Sequence, residues 1–483
     1  MKLVEHYSAS FGVTTSELME SAGRAAADYI AKVAKKTDSI LVTCYHGNNG
    51  GDGFCCARHL AKNGYSVNVH FTGDAAKMKQ EAARQWRLLP KRLLVQQPDY
   101  HAYDLVIDAI LGTGRKLPLK EPIASAVLQM RKARRVIALD VPTSDDLPVE
   151  ATVCFHVAKP EARGKVVVVS IGVPQQLTYL NLPVPTVALR SQVEQQRKLE
   201  QDRFVRKGDH GRILVVGGSS LYVGAPYLAG MAALAVSDLV VVAAPKKVAW
   251  AINVMSPDLI TVKLKGDDIT KEHLSAIQAV RHDAMLLGNG MGRSDAIPLL
   301  LRFPGKKVID ADAFHCADLR KLRNAILTPH RGEFERLMRN SGIRSALLTQ
   351  VMEFERKLFR KIECRKEFTA MEKGISKLQP KLGSNVILLK GPVDLIISGQ
   401  DWKFNVTGVP RMAVGGTGDV LAGLCAGFAA TMPLFDAACK AAFLCGRAGE
   451  ITAEKNPRFL ASDLIASIEA AGKETGSVAG RSR

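Results

Sequence analysis

Asp419 stands in Met412-Ala413-Val414-Gly415-Gly416-Thr417-Gly418-Asp419-Val420-Leu421-Ala422-Gly423, the most informative stretch of the chain. Gly415, Gly416 and Gly418 leave backbone amides bare ahead of an apolar run that reads as a helix. Bare amides at a helix start form an anion nest, suited to a phosphate or a transferring phosphoryl group. A carboxylate in that positive field can stay ionised and take a proton from a substrate hydroxyl. The plainer alternative makes Asp419 the N-cap of a packing helix. No Gly-Lys-Ser/Thr follows, so this is not a Walker sequence.

A second constellation lies near the start of the chain. His46-Gly47-Asn48-Asn49-Gly50-Gly51-Asp52-Gly53 follows an apolar run and precedes a helical pattern. Two further apolar runs end in acids: Asp108, leading to Leu111-Gly112-Thr113-Gly114, and Asp140, leading to Val141-Pro142-Thr143-Ser144. Each acid alone could be a helix cap or turn residue. Open parallel sheets bind ligands outside the carboxyl ends of their strands, so three such ends together favour a site. The amide of Asn49, the carboxylate of Asp108 and the hydroxyl of Thr143 offer oxygen alone, which suits a hard cation.

The second half repeats the pattern. Gly217-Gly218-Ser219-Ser220, Gly224-Ala225, Gly288-Asn289-Gly290-Met291-Gly292, Asp310-Ala311-Asp312, Thr328-Pro329-His330 and Lys390-Gly391 all stand at apolar strand ends. Asp310 and Asp312 read equally as turn formers, His330 as a cap, and Lys390 as a phosphate ligand or a solvated cation.

Apolar runs alternating with helical patterns imply parallel sheets covered by helices. Strands are expected over 40–45, 67–71, 105–108, 136–140, 152–157 and 166–171, with helices over 15–34, 53–63 and 121–132. Further strands are expected over 213–216, 239–242, 284–287, 307–309, 325–327 and 386–389. Pro174, Pro183 and Pro185, then a polar run over 192–204, put a boundary near 190–205. The expected domains are therefore 1–190 and 200–475, with fraying from about Gly472.

The 483 residues carry 66 Lys+Arg against 47 Asp+Glu, a net charge of +19. With 47% hydrophobic and 23% charged residues the chain is globular, which excludes a disordered chain, a collagen and a disulfide mini-protein. The basic excess suits an anionic partner. No aromatic-basic interleaving, RNP motif or zinc finger accompanies it, so no nucleic-acid partner is expected. Nine cysteines without a CxxC pair read as reduced thiols of a cytoplasmic protein, with zinc not expected. Asp238 interrupts the apolar stretch 227–245, and the glycine run interrupts 413–435, so no membrane span is expected. The amino terminus lacks the apolar core of a signal peptide.

GNNGGDG, DAILGTG and DVPT resemble the epimerase domain of the bifunctional NAD(P)H-hydrate repair enzymes, across about residues 1–175. KGDHGRILVVGGS, GAPYLAG, LGNGMG, DADAF, LTPHRGEFERL, LLKG and AVGGTGDVLAGLCAG resemble that family's ribokinase-like dehydratase domain, in the family's order, across about 200–470. The implied fold class is α/β, a Rossmann-like doubly wound sheet followed by a ribokinase-like domain. By this resemblance Asn48, Asn49, Gly50, Gly51 and Asp52, with Gly112, Thr113, Gly114, Arg115, Lys116, Leu117 and Pro118, line the hydrated nicotinamide nucleotide. Asp140 acts on it, and Asn49, Asp108 and Thr143 hold potassium. In the second domain Ala225, Gly290 or Gly292, and His330 contact the hydrated nucleotide, with Asp419 as catalytic base. Lys390, Gly391, Pro392, Val393, Asp394 and Gly418 contact ADP or ATP, whose phosphates a magnesium ion bridges. Thr143-Ser144 replaces the family's usual Ser-Gly, and Gly408-Val409-Pro410-Arg411 its usual Gly-Asn-Pro-Gly.

The resemblance implies epimerisation of R and S hydrated NADH or NADPH (NADHX, NADPHX) and nucleotide-driven dehydration of the S form. A homo-oligomer is expected. Two other readings remain: a ribokinase-type small-molecule kinase, and an active dehydratase fused to an inactive binding domain.

Overall fold

The computed structural model describes residues 2–115, 118–159, 161–182 and 208–475. Contacts divide the chain into two compact units, Met1–Thr178 with Arg360–Cys364, and Tyr179–Phe359 with Arg365–Arg483. The boundary expected near 190–205 lies outside the described residues. On its near side, Asn181 already belongs to the second unit: its N–H donates to the Phe404 carbonyl and its Nδ2 to the Cys439 carbonyl, both at 2.8 Å. At the far end, where fraying is expected from Gly472, the last helix, Ile468–Thr475, runs on to Thr475.

The first unit is built on β1 (Ser39–Cys44), β2 (Ser66–Phe71), β3 (Leu94–Val95), β4 (Leu105–Ala109), β5 (Val136–Leu139), β6 (Ala151–Phe155) and β7 (Lys165–Val169). Their order is β3-β2-β1-β4-β5-β6-β7, and every pairing is parallel. Ile40, Leu41 and Val42 in β1, Val106 and Ile107 in β4, and Ile137 in β5 are wholly buried, as strands covered on both faces must be. From β1 the chain moves one way to β2 and β3, then reverses to β4 and β5. Such a switch point opens a crevice at the carboxyl ends of the strands.

The helix after β1 spans Asn48–Lys62, so it begins inside the glycine cluster and not after it, as the expected start at 53 had it. A Cβ on Gly50 would lie 1.7 Å from the Tyr45 carbonyl oxygen, so the helix can wind this close to β1 only with glycine there. Helix Thr15–Val33 starts with a full capping box between Thr14 and Glu17 and packs on Asn48–Lys62. Gly23 makes that packing close: a Cβ there would meet that of Cys55 at 2.3 Å.

The second unit is built on β8 (Arg212–Val216), β9 (Leu239–Pro245), β10 (Ile260–Leu264), β11 (Ala284–Leu287), β12 (Lys306–Ile309), β13 (Ala325–Leu327), β14 (Val386–Leu389), β15 (Asp394–Ile397) and β16 (Trp402–Asn405). Their order is β10-β9-β8-β11-β12-β13-β14-β15-β16. Pairing is parallel from β10 to β14 and antiparallel from β14 to β16. That antiparallel edge departs from the all-parallel expectation. Short links, Lys390 to Val393 and Ser398 to Asp401, leave no room for a crossover helix, so the chain must fold straight back.

Helix Thr417–Thr431 is buried along most of its length and packs on helix Gly224–Leu234. A Cβ on Gly423 would come within 2.2 Å of the Ala229 carbonyl oxygen, so the two backbones are nearly in contact. No helix among the described residues is long and apolar enough to cross a membrane. All nine cysteines are free thiols.

Candidate active sites

In the first unit a cavity of about 410 Å³ opens at the β1/β4 switch point. Asn48, Asn49 and Asp52 reach it from the helix after β1, Gly112 to Arg115 from the loop after β4, and Asp140 from the end of β5. Asp140 has φ +64°, a left-handed conformation that Asp tolerates better than most residues. Its Oδ1 pairs with Lys159 Nζ at 3.0 Å, and its Oδ2 accepts from the Thr113 amide at 3.3 Å. Burial pushes the Asp52 carboxyl far above the usual range, and the nearby carboxylates of Asp140 and Glu5 push it further.

Below the cavity lies a polar cluster. Asp108 is wholly buried and accepts from the Thr143 amide and hydroxyl, each at 2.7 Å, and from the Ile110 amide. Burial pushes Asp108 upward, against the pull of these bonds. Thr143 Oγ1 in turn accepts from the Leu111 amide at 3.1 Å. Asn49 donates Nδ2 to the Leu111 and Leu139 carbonyls, while its buried Oδ1 has no partner. Asn49, Asp108 and Thr143 are thus brought together around Leu111.

Other expected residues lie differently. Gly50 and Gly51 are buried against Tyr45 and Met19 and do not line the cavity. The Arg115 guanidinium is engaged by Asp145 at 2.6 Å and by the Pro142 carbonyl at 3.1 Å. Pro118 is exposed and outside the lining, and Lys116 and Leu117 lie outside the described residues.

In the second unit the first turn of helix Thr417–Thr431 follows Gly416, whose φ of +95° sets the turn and which supplies no side-chain cap. The opening amides therefore remain available to an anion. Asp419, on this turn, accepts from Asn289 Nδ2 at 2.7 Å, and the same nitrogen lies 3.1 Å from Asp310 Oδ2. Asp310 also accepts from Thr328 Oγ1 and from Lys390 Nζ, each at 2.8 Å. Lys390 lies 3.9 Å from Glu333, and a Cβ on Gly418 would stand 3.4 Å from its Nζ. The ends of strands β11, β12, β13 and β14 and the starts of helices Arg331–Asn340 and Thr417–Thr431 thus converge.

Burial raises Asp419 to about 6 and Glu333 to about 7. It works against the charge on Lys390, which Asp310 and Glu333 more than offset, so Lys390 is held above its ordinary value. His330 does cap a helix: its Nδ1 accepts from the Gly332 amide at 3.1 Å and its ring stays largely open to solvent. Gly290 adjoins Ala225, since a Cβ on Gly290 would stand 3.4 Å from the Ala225 methyl. The Gly292 amide donates to Asp312 at 2.8 Å.

The Gly391 amide donates to Asp394, which burial raises to about 6. Val393 is buried and its amide donates to Glu355, while Pro392 is exposed. Arg411 turns to the Phe459 carbonyl at 3.1 Å.

Sequence reasoning assigned no role to Asn289, Glu333 or Lys159. Asn289 stands in a glycine run already singled out, and its buried Oδ1 lacks a partner, as that of Asn49 does. Glu333 is legible only as the fourth residue of a capping box. Nothing around Lys159 marks it. Glu20, Cys55 and His59 also converge, but Arg58 occupies Glu20 at 2.6 Å and burial pushes the Cys55 thiol up, so the trio is an ion-pair cluster.

Residues 213–470 match the family model described as NAD(P)H-hydrate dehydratase, and residues 15–162 match the one described as YjeF-related protein N-terminus. The chain is 34% identical to the bifunctional NAD(P)H-hydrate repair enzyme Nnr of Methanothermobacter thermautotrophicus, across 94% of this chain and 91% of that one. The chain belongs to this family. The namesake from Pyrobaculum aerophilum is 35% identical across 94% and 93% of the two chains. That from Archaeoglobus fulgidus is 33% identical across 97% and 96%.

Proposed function

We propose that this chain repairs hydrated NADH and NADPH, its first unit interconverting the R and S hydrates and its second dehydrating the S form with ADP or ATP. The observation that carries the second half is the Asp419–Asn289–Asp310–Lys390 array beside an uncapped helix start. Hydroxide is a poor leaving group, and phosphorylation of the ring hydroxyl turns it into phosphate. Asp419 takes the hydroxyl proton as the hydroxyl oxygen attacks the terminal phosphorus, whose bridging P–O bond breaks to release AMP from ADP or ADP from ATP. Lys390 and the amides from Gly415 to Asp419 stabilise the charge on the phosphates. Phosphate then departs, a ring proton is lost, and the reduced ring is restored.

Three carboxylates, Asp310, Glu333 and Asp419, face one lysine, which leaves room for a further positive charge. Asp310, Glu333 and Asp419 would hold magnesium carried by the nucleotide, and it would supply charge neutralisation during transfer.

In the first unit, the partnerless Asn49 Oδ1 and the buried Asp108 carboxylate fit a hard monovalent cation. Asn49, Asp108 and Thr143 would hold potassium, which would supply the charge that balances Asp108. The test is to incubate purified S hydrate with the protein and either nucleotide and to follow reduced-nicotinamide absorbance. Its return with one nucleotide supports the reading. Accumulation of a stable phosphorylated product instead would make the second unit a small-molecule kinase.

A further inference from the structure

We propose that Asp52 and Asp140 form a two-carboxyl acid–base pair for epimerisation, and that Lys159 is the positioning residue that fixes Asp140. The proposal deepens the epimerase reading above and rests on it.

Asp52 and Asp140 line one cavity from different elements, a helix start and a strand end. Lys159 is buried, and its Nζ meets three oxygens: Asp140 Oδ1 at 3.0 Å, the Phe155 carbonyl at 3.0 Å and the Val157 carbonyl at 3.2 Å. Two of its protons go to the carbonyls, and Asp140 Oδ1, which accepts no hydrogen bond, is paired with the ammonium by charge. Such a lysine holds a carboxylate in place. With Thr113 on the other oxygen, the Asp140 side chain is held at the cavity from both sides.

Asp52 has the opposite surroundings. The charged or titratable groups facing it are Asp140, Glu5, Lys79 and Arg115 in the cavity, and the Cys44 and Cys56 thiols behind it. Arg115 is committed to Asp145. Two carboxyls in one site with environments that differ this much divide into an acid and a base.

The chemistry balances without a redox partner. Water adds to a reduced nicotinamide across a C=C bond conjugated to the ring nitrogen, and the hydroxyl takes the carbon bonded to nitrogen. In the first step that C–O bond breaks with its electron pair going to oxygen. Asp52 gives its proton to that oxygen, which leaves as water, while the nitrogen lone pair closes an N=C bond. Water then adds to the opposite face, the N=C pair returns to nitrogen, and Asp140 takes the proton. Asp52 ends ionised and Asp140 protonated, which is the starting state for the opposite epimer.

The test uses the full-length protein, separated R hydrate and no nucleotide, in water enriched in oxygen-18, with R and S resolved by chromatography. Wild type is expected to yield S hydrate carrying the heavy oxygen. Asp52→Asn and Asp140→Asn are each expected to lower kcat at least about 100-fold. Lys159→Gln is expected to lower kcat with little change in KM, and Lys159→Arg to recover part of the loss. Thermal unfolding of each variant identifies any that fails to fold, and the near-isosteric Asp52→Asn is the decisive one.

Undiminished epimerisation by folded Asp52→Asn, or S hydrate that keeps its original oxygen, overturns the proposal and leaves the epimerase reading standing. A kcat for Lys159→Gln equal to wild type removes its positioning role. No interconversion by the wild type overturns the epimerase reading itself, and the acid–base pair with it.

Discussion

Asp419 and Glu333 are acids whose burial shifts them towards neutrality, and each has a consequence that pH can read. Asp419, at about 6, must be ionised to accept a proton, so kcat/KM for dehydration is expected to rise as pH climbs through about 6. Asp419→Asn is expected to lose about 100- to 10,000-fold in nucleotide-driven dehydration, with its unfolding midpoint close to wild type. Glu333 is raised from 4.5 to about 7, so the native state holds a proton that the unfolded chain has released between those values. Stability from this group therefore falls as pH rises from 4.5 to 7. Urea unfolding across that range should show a shallower fall in Glu333→Gln than in wild type. An identical fall would mean Glu333 keeps its ordinary value.

At this scale the sequence disclosed the acids at strand ends, because Asp after an apolar run is visible without coordinates. Asn289, Glu333 and Lys159 owe their roles to partners 130, 57 and 19 residues away (Asp419, Lys390 and Asp140), and no local pattern encodes such a partner.

At the scale of elements, glycines decide how close the backbones come. Helix Thr417–Thr431 lies so near helix Gly224–Leu234 that a methyl at Gly423 would strike the Ala229 carbonyl. Gly423→Ala is expected to cost about 1–3 kcal/mol by overpacking, measured by urea unfolding. It is also expected to weaken nucleotide binding, because the helix that moves carries Gly418 and the bare opening amides. Unchanged stability would mean that the helices separate freely. The inner parallel strands were legible as unbroken apolar runs, since a strand covered on both faces has no polar side, whereas β3, two residues long, and β10, half exposed, were missed. The β15–β16 edge was not legible, because β15 offers only three apolar residues, Leu395 to Ile397, and Lys403 interrupts β16. The start of helix Asn48–Lys62 was missed because glycine reads as a helix breaker, whereas contact with Tyr45 demands it here.

At the scale of the molecule, two units each carry a carboxylate cluster at the carboxyl edge of a separate sheet. Both units were legible because each has its own series of strands and glycine turns. Lys116 and Leu117, expected to line the first site, lie outside the described residues. Separate sites imply separable losses: Asp140→Asn is expected to abolish R-to-S conversion while S hydrate is still dehydrated at the wild-type rate. Equal loss of both would mean that one site serves both reactions.

The most direct test of two activities in one chain is recovery of reduced-nicotinamide absorbance from a mixture of R and S hydrated NADPH. It is measured with ADP, with ATP and with neither. Full recovery with one nucleotide, faster than the R form converts unaided, is expected. Recovery that halts at the S fraction would contradict an active epimerase, and no recovery with either nucleotide would contradict the dehydratase.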